Sequence, residues 1–338
     1  MAEALREIAA DTIADAGDFR TRIAEPCVPV VLRGACRDWP ARRAGEGATA
    51  LLFAYLRRFD SGATGQAFVG ERGIAGRYHY GEGADGFNFA RETLGLGGLL
   101  SRIEDAGDDP EGRSIYMGSV PTDTLLPGFA DENRLRFLPP AVRPRIWLGT
   151  ASRIACHYDT YDNVACVVAG RRRFTLYPPD AIGDLYVGPI DHTMAGQPVA
   201  LAPGADAGDP RYPRFEAAQG RAVTIDLDPG DALYLPKLWW HQVEARDAVN
   251  VLVNYWWDAF ASGPDAPATT MMLTMIAIAE RPPAERAAWR AFFDHYVFRP
   301  DGHPLAHLPE ERHGILGPLA KGNYGRIRAF VMQMLRGG

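Results

Sequence analysis

His157-Tyr158-Asp159-Thr160-Tyr161-Asp162-Asn163-Val164-Ala165-Cys166-Val167-Val168-Ala169-Gly170-Arg171-Arg172-Arg173-Phe174-Thr175-Leu176-Tyr177-Pro178-Pro179-Asp180 opens on a His-x-Asp pair and runs on through apolar segments broken by Gly170. On a strand, side chains two positions apart share a face, so His157 and Asp159 project together. Two imidazoles and one carboxylate on one side of a metal leave its other positions open, the arrangement of non-haem Fe(II) oxygenases. The third ligand must then come from a distant strand folded back alongside. His241, in Leu238-Trp239-Trp240-His241-Gln242-Val243, is the candidate, and so large a separation suits a barrel or jelly roll. Of eight histidines, only His157 has an acidic residue two positions later. For the dipeptide alone, a histidine bonded to a nearby carboxylate is the commoner explanation.

Context shifts that balance. His241 follows Asp228-Pro229-Gly230-Asp231-Ala232-Leu233-Tyr234-Leu235-Pro236, a tight turn leading into a short apolar strand. Proline presets the turn, glycine relieves the backbone and the aspartates cap it. Trp239 and Trp240 alone read as core, but strand, turn, strand and terminal histidine together read as a ligand at a barrel rim.

Working outward, Ser114 to Tyr255 shows short apolar runs separated by Pro, Gly and Asp, an all-β pattern. Before it, Glu7 to Ile23 predicts a helix, Cys27 to Gly34 a strand, Trp39-Pro40 a turn, and residues 47–60 and Glu92 to Asp105 helices. Residues 62–86 read as short strands and loops. After Asp258, Met271 to Ala279, Ala284 to Val297 and Tyr324 to Leu335 read as apolar-striped helices. The organisation expected is N-terminal flanking elements over 1–113, a barrel over 114–260 and a helical extension over 261–338. The extension's stripes fit equally core against the barrel and a homodimer face.

The composition bounds the function. With 47% hydrophobic and 23% charged residues the chain is of ordinary globular type, and its net charge of −6 argues against nucleic acid as a partner. Four cysteines without CxxC spacing imply neither zinc nor disulfides. Cys156 beside the candidate ligand points away from it by strand alternation. Met1-Ala2-Glu3-Ala4-Leu5-Arg6-Glu7 lacks a secretory pattern, and Ala266 to Ala279 is too short to span a bilayer. A cytoplasmic location with no membrane partner is the expectation.

The run from His157 to Asp180 resembles the cupin-like JmjC hydroxylases, among which the asparaginyl hydroxylase that inhibits hypoxia-inducible factor is the most similar well-known branch. Pro229-Gly230-Asp231 to His241, Val253-Asn254-Tyr255-Trp256-Trp257, and Val30 to Gly34 with Trp39-Pro40 extend the likeness over roughly residues 25–260. The resemblance implies a mainly β fold with flanking helices: a double-stranded β-helix (cupin or jelly roll) with helical N-terminal elements and a helical C-terminal extension. It implies Fe(II) held by His157, Asp159 and His241, and 2-oxoglutarate as the cosubstrate, decarboxylated to succinate. It places Asn163 and Asn254 near that cosubstrate and Tyr116 on its distal carboxylate. Arg172 stands where the family usually has a lysine that pairs with this carboxylate, and arginine binds carboxylates bidentately. Ile154 stands where the family often has a threonine, with Ser152 or Thr150 as substitutes if the strand register shifts.

Three functions follow as expectations. The first is a hydroxylase of a protein, peptide or amino-acid side chain. The second is a non-catalytic cupin holding a metal or an anionic ligand. The third is a metal-dependent cupin enzyme that does not use 2-oxoglutarate. The loops over 62–90 and 184–220 are where substrate selection is expected, although Asp191, His192 and Arg211 there read as ordinary loop residues.

Overall fold

The computed structural model describes residues 5–81, 86–107, 112–194, 196–206, 208–261 and 263–337. Met1 to Ala4, half of the stretch read for a leader, and 82–85 of the first selectivity loop lie outside them. The chain divides into two compact units, Met1–Ala259 and Phe260–Gly338.

Among its described residues the first unit holds fourteen strands: β1 (Arg6–Ala9), β2 (Val30–Arg33), β3 (Thr64–Gly70), β4 (Arg77–Tyr78), β5 (Ala90–Gly95), β6 (Ser114–Pro121), β7 (Pro144–Gly149), β8 (Ser152–His157), β9 (Asp162–Ala169), β10 (Arg172–Tyr177), β11 (Val223–Leu227), β12 (Ala232–Leu235), β13 (Trp240–Ala245) and β14 (Asn250–Trp257). Strands β7 to β14 divide between two sheets, with the consecutive β10 and β11 paired in one of them. One runs β12-β9-β14-β7 and the other β11-β10-β13-β8, four strands each, which is the double-stranded β-helix of a cupin. The N-terminal strands lengthen it: β1 and β2 extend one edge of the larger sheet, β6, β3 and β5 the other, and β4 pairs parallel with β8.

Strand β9 is buried along its whole length, as a central strand covered on both faces must be. Val31, Val167, Leu233 and Leu252 of the larger sheet meet Phe174, Leu176, Ile225 and Leu227 of the smaller one in a continuous core. Each such side chain contributes about 1.5–3 kcal/mol through burial. Gly170 turns β9 into β10 at φ +72°, where an added Cβ would lie 2.4 Å from the Asn250 side-chain oxygen. Strand β10 then alternates: Arg172, Phe174 and Leu176 point inward, while Arg171 pairs with Asp247 and Arg173 with Asp226 at the surface. Cys156 is buried against Tyr177 and Trp240 and faces away from His157.

Several local expectations are corrected. Glu7 to Ile23 is not one helix: Arg6–Ala9 pairs in parallel with β2, and helix begins only at Ala16–Phe19. Asp15 accepts a hydrogen bond from the Asp18 amide and caps that new start. Glu92 to Gly95 belongs to β5, drawn into the sheet by β3, and the helix there is Leu96–Ala106. Pro40 does not merely turn the chain but opens the short helix Pro40–Ala44. The helix expected over 47–60 is Thr49–Arg57.

The second unit contains the helices Pro267–Ile278, Pro283–Phe293 and Asn323–Arg336. Among its described residues no hydrophobic side chain is fully buried, and Ile276 is 85% exposed. A groove of about 1130 Å³ runs between Leu273, Val297, Leu316, Val331 and Leu335. Among the described residues no helix is long and apolar enough to cross a membrane.

Candidate metal centre

His157 ends β8 and His241 lies in the first turn of side chains on β13, and the two strands pair so that these residues sit opposite each other. A bulge follows between His241 and Val243, a device that re-aims side chains beside functional sites. Asp159 comes from the loop just beyond β8. One ligand atom from each of His157, Asp159 and His241 lies within 4.8 Å of the others, and His241 Nε2 is 3.8 Å from Asp159 Oδ2. Both imidazoles are oriented by their own backbone: His157 Nδ1 is 2.8 Å from the Ala155 carbonyl and His241 Nδ1 3.0 Å from that of Trp239. An Nδ1–H directed at a carbonyl leaves Nε2 with its lone pair free, as a metal ligand requires.

Burial, reinforced by His157, lowers the His241 pKa to about 3, so this imidazole is neutral at physiological pH. Burial raises the Asp159 pKa, while His157 and the Trp256 indole pull it down. A neutral imidazole at His241 facing the buried carboxylate of Asp159 suits a divalent cation.

The triad opens into a cavity of about 110 Å³. Tyr116, Asn163, Arg172 and Asn254 all line it with the three metal-ligand candidates, whereas Asp191, His192 and Arg211 do not. Ile154 lines it too, whereas Thr150 bonds the Ile115 backbone and neither it nor Ser152 lines the cavity. Arg172 stands at the far end of β10 from Leu176, the residue paired with His241. Four residues of strand separate the two levels by roughly 13 Å, a span shared between the arginine side chain and a ligand.

Arg172 is only 8% exposed and its Nε has no hydrogen-bond partner. Burial lowers its pKa to about 10, which leaves it charged at neutral pH. No carboxylate pairs with it among the described residues, although its neighbours Arg171 and Arg173 are both paired. An unpaired buried cation is costly, so this end of the cavity is built for an anion.

Sequence reasoning missed Trp147, Trp256, Met194 and Gln197 in the cavity wall. Trp147 Nε1 donates to Asn254 Oδ1 at 2.9 Å, and Asn254 Nδ2 donates to Asn163 Oδ1 at 3.3 Å, a chain that fixes both amides. Tyr116 stacks on Phe68 at 4.8 Å between ring centroids, and burial raises its pKa. Trp147 and Trp256 lie on the inward faces of β7 and β14, where a tryptophan reads simply as core. Met194 and Gln197 lie in a long loop with no periodicity to signal them.

An eight-stranded double-stranded β-helix with two histidines and an aspartate at its rim defines the class: a cupin with a metal-ligand set. The chain belongs to the family described as Cupin-like domain, whose model matches residues 16–263. It is similar to the lysine-specific demethylase JMJ31 of Arabidopsis thaliana, 31% identical over 153 residues, 45% of this chain and 26% of that one. It is also similar to human HSPB1-associated protein 1, 34% identical over 151 residues covering 42% and 30% of the two chains. With the Drosophila melanogaster Jumonji C domain-containing protein 5 it shares 34% identity over 121 residues, 36% and 29% of the chains. The matched part is thus about a quarter to a third of each relative. The family to which these JmjC proteins belong generally uses Fe(II) and 2-oxoglutarate, and the His157-Asp159-His241 set is compatible with that use.

Proposed function

We propose that this protein is an Fe(II)- and 2-oxoglutarate-dependent hydroxylase of a protein, peptide or amino-acid side chain, of the kind represented by the asparaginyl hydroxylase its motifs resemble. The observation that carries this reading is Arg172: a buried, unpaired guanidinium in the same small cavity as the ligand triad. A dicarboxylate with one end on the metal and the other on Arg172 satisfies both. His157, Asp159 and His241 would hold the iron, and Arg172, with Tyr116 from the same cavity wall, would grip the distal carboxylate. When bound, iron and 2-oxoglutarate supply the oxidising chemistry, with decarboxylation to succinate. The chain's own part is to orient and to exclude water. The Trp147-Asn254-Asn163 chain fixes the amides beside the cosubstrate, while Trp147, Trp256 and Met194 wall the cavity with apolar surface.

The charge inventory favours hydroxylation over removal of methyl groups from lysine. Apart from Asp159, no carboxylate among the described residues lines the cavity. Arg145 lies over the Trp256 ring at 5.8 Å, so that ring already faces a cation. A methylated ammonium entering this cavity would find no further carboxylate from the described residues to offset its charge. A neutral side chain meets no such penalty.

Protein reconstituted anaerobically with Fe(II) is expected to convert 2-oxoglutarate to succinate when oxygen and substrate are supplied. His157→Ala and Asp159→Ala are expected to abolish turnover with the fold intact. Failure of 2-oxoglutarate to bind, together with no rise in succinate for any candidate substrate, would overturn this reading. Metal-dependent turnover indifferent to 2-oxoglutarate would favour a cupin enzyme of another type, and ligand binding without turnover a binding module.

The same proposal includes a homodimer formed by the C-terminal unit. Its helices bury no hydrophobic side chain by themselves yet expose Met272, Ile276, Phe292 and Phe330. A small unit without a core needs a partner surface, and a second copy of the same unit supplies one by two-fold symmetry. All four cysteines are free thiols, in keeping with a proposed cytoplasmic location.

A further inference from the structure

The turn Pro236 to Trp239 delivers His241, and its backbone is under strain. Leu238 adopts φ +69°, the left-handed region that a side chain other than glycine's seldom occupies, and it is 48% exposed, so packing does not hold it there. Its amide donates to the Asp159 carbonyl at 2.8 Å, so the strained residue links the turn to the loop bearing the second ligand. The Trp239 carbonyl in the same turn orients the His241 ring. Something must hold this turn in place.

Lys237 is the group that does so. Its ammonium lies 3.3 Å from Asp162 and bonds Asp258 as well. Asp162 is completely buried at the start of β9, three residues beyond Asp159, and also accepts hydrogen bonds from the Tyr234 hydroxyl and the Ala259 amide, each at 3.0 Å. Asp258 follows β14 two residues after Trp256, which lines the cavity of the triad. One cation therefore ties together three segments: the turn before His241, the loop after Asp159, and the strand end that carries Trp256.

We propose that Lys237 is a positioning residue for the metal centre, holding Asp159 and His241 in mutual register through the paired carboxylates of Asp162 and Asp258. The proposal rests on the metal reading of the triad but not on any use of 2-oxoglutarate. Lys237→Met removes the tie and leaves Asp162 buried without its cation, so that variant is expected to lose stability as well. The double variant Lys237→Met with Asp162→Asn removes both charges, keeps an acceptor oxygen for the Ala259 amide and turns its own NH2 toward the Tyr234 hydroxyl oxygen, which can accept.

The test is calorimetric titration of the metal-free full chain with Mn(II), accompanied by the absorption spectrum of the Co(II) form. Relative to wild type, the double variant is expected to melt within a few degrees in the metal-free state yet bind Mn(II) about 10–100-fold more weakly, the usual effect of losing a partner that orients ligands. Its Co(II) spectrum is expected to shift. A purely structural lysine would change the melting temperature and leave the metal affinity of the folded protein alone. Mn(II) affinity within twofold of wild type in the double variant would overturn the proposal. Wild type binding no divalent metal would bring down the metal reading, and this inference with it.

Discussion

Arg172 sets a buried positive charge in the cavity of the ligand triad, and at the residue scale that charge separates function from stability. Folding gains nothing from an unpaired buried guanidinium, so replacing it with an apolar side chain of similar length relieves the fold. Metal-free Arg172→Met is therefore expected to unfold in urea with stability equal to wild type or about 1–4 kcal/mol higher. The same variant is expected to lose 2-oxoglutarate affinity. A loss of stability would mean that the guanidinium has a structural partner. His241 gives a second residue-scale expectation. Its folded pKa of about 3 lies far below the unfolded value of 6.5, so the unfolded chain takes up a proton that the folded one refuses. Its contribution is whole above the unfolded pKa and is lost as pH falls below it, by about 2 kcal/mol at pH 5. Burial lowers the pKa of His79 too, and it acts in the same direction. Melting of the metal-free protein between pH 7 and pH 5 checks this: His241→Gln is expected to flatten most of the decline, and an unchanged slope would contradict the assignment.

At the scale of elements, the strands place the chemistry. The inward run Arg172, Phe174 and Leu176 on β10 follows from a period of two, which is why the sequence shows it plainly. The His157–His241 pairing is set instead by the register between β8 and β13, and Asp159 lies in the loop beyond β8 and not on the strand with His157 as expected. The strand packing beneath them is expected to be unforgiving. Leu233→Ala, fully buried between the sheets, is expected to cost about 2–5 kcal/mol in urea unfolding. Leu51→Ala, 60% exposed on the helix Thr49–Arg57, is expected to change stability by less than about 0.5 kcal/mol. Equal effects would contradict the packing described. Elements that depend on a distant partner were less legible. Arg6–Ala9 and Ala90–Gly95 become strands because β2 and β3 offer open edges, and nothing within those short segments announces the pairing. Trp147, Met194 and Gln197 escaped notice for a related reason: a tryptophan on a strand and a residue in an aperiodic loop look the same whether or not a cavity lies beside them.

At the scale of the molecule, the barrel unit has a complete core and the helical unit has none among its described residues. The proposed homodimer answers that imbalance. Sedimentation of the full chain is expected to show a dimer, and Met272→Glu with Ile276→Glu is expected to yield a monomer whose barrel still binds metal. A wild-type monomer, or a dimer indifferent to both charges, would contradict it. Dimerisation and oxygenase chemistry are separable claims, because the metal-ligand candidates and Arg172 all lie in the barrel unit.

The central claim, that one small cavity holds both a metal and a dicarboxylate, meets its most direct test in an anaerobic calorimetric titration of 2-oxoglutarate into metal-loaded wild type and Arg172→Ala. Wild type is expected to bind one equivalent. Arg172→Ala is expected to bind on the order of a hundredfold more weakly, since truncating one partner of a buried charge pair costs about 2–5 kcal/mol. No binding to wild type, or equal affinity in the two proteins, would contradict the account.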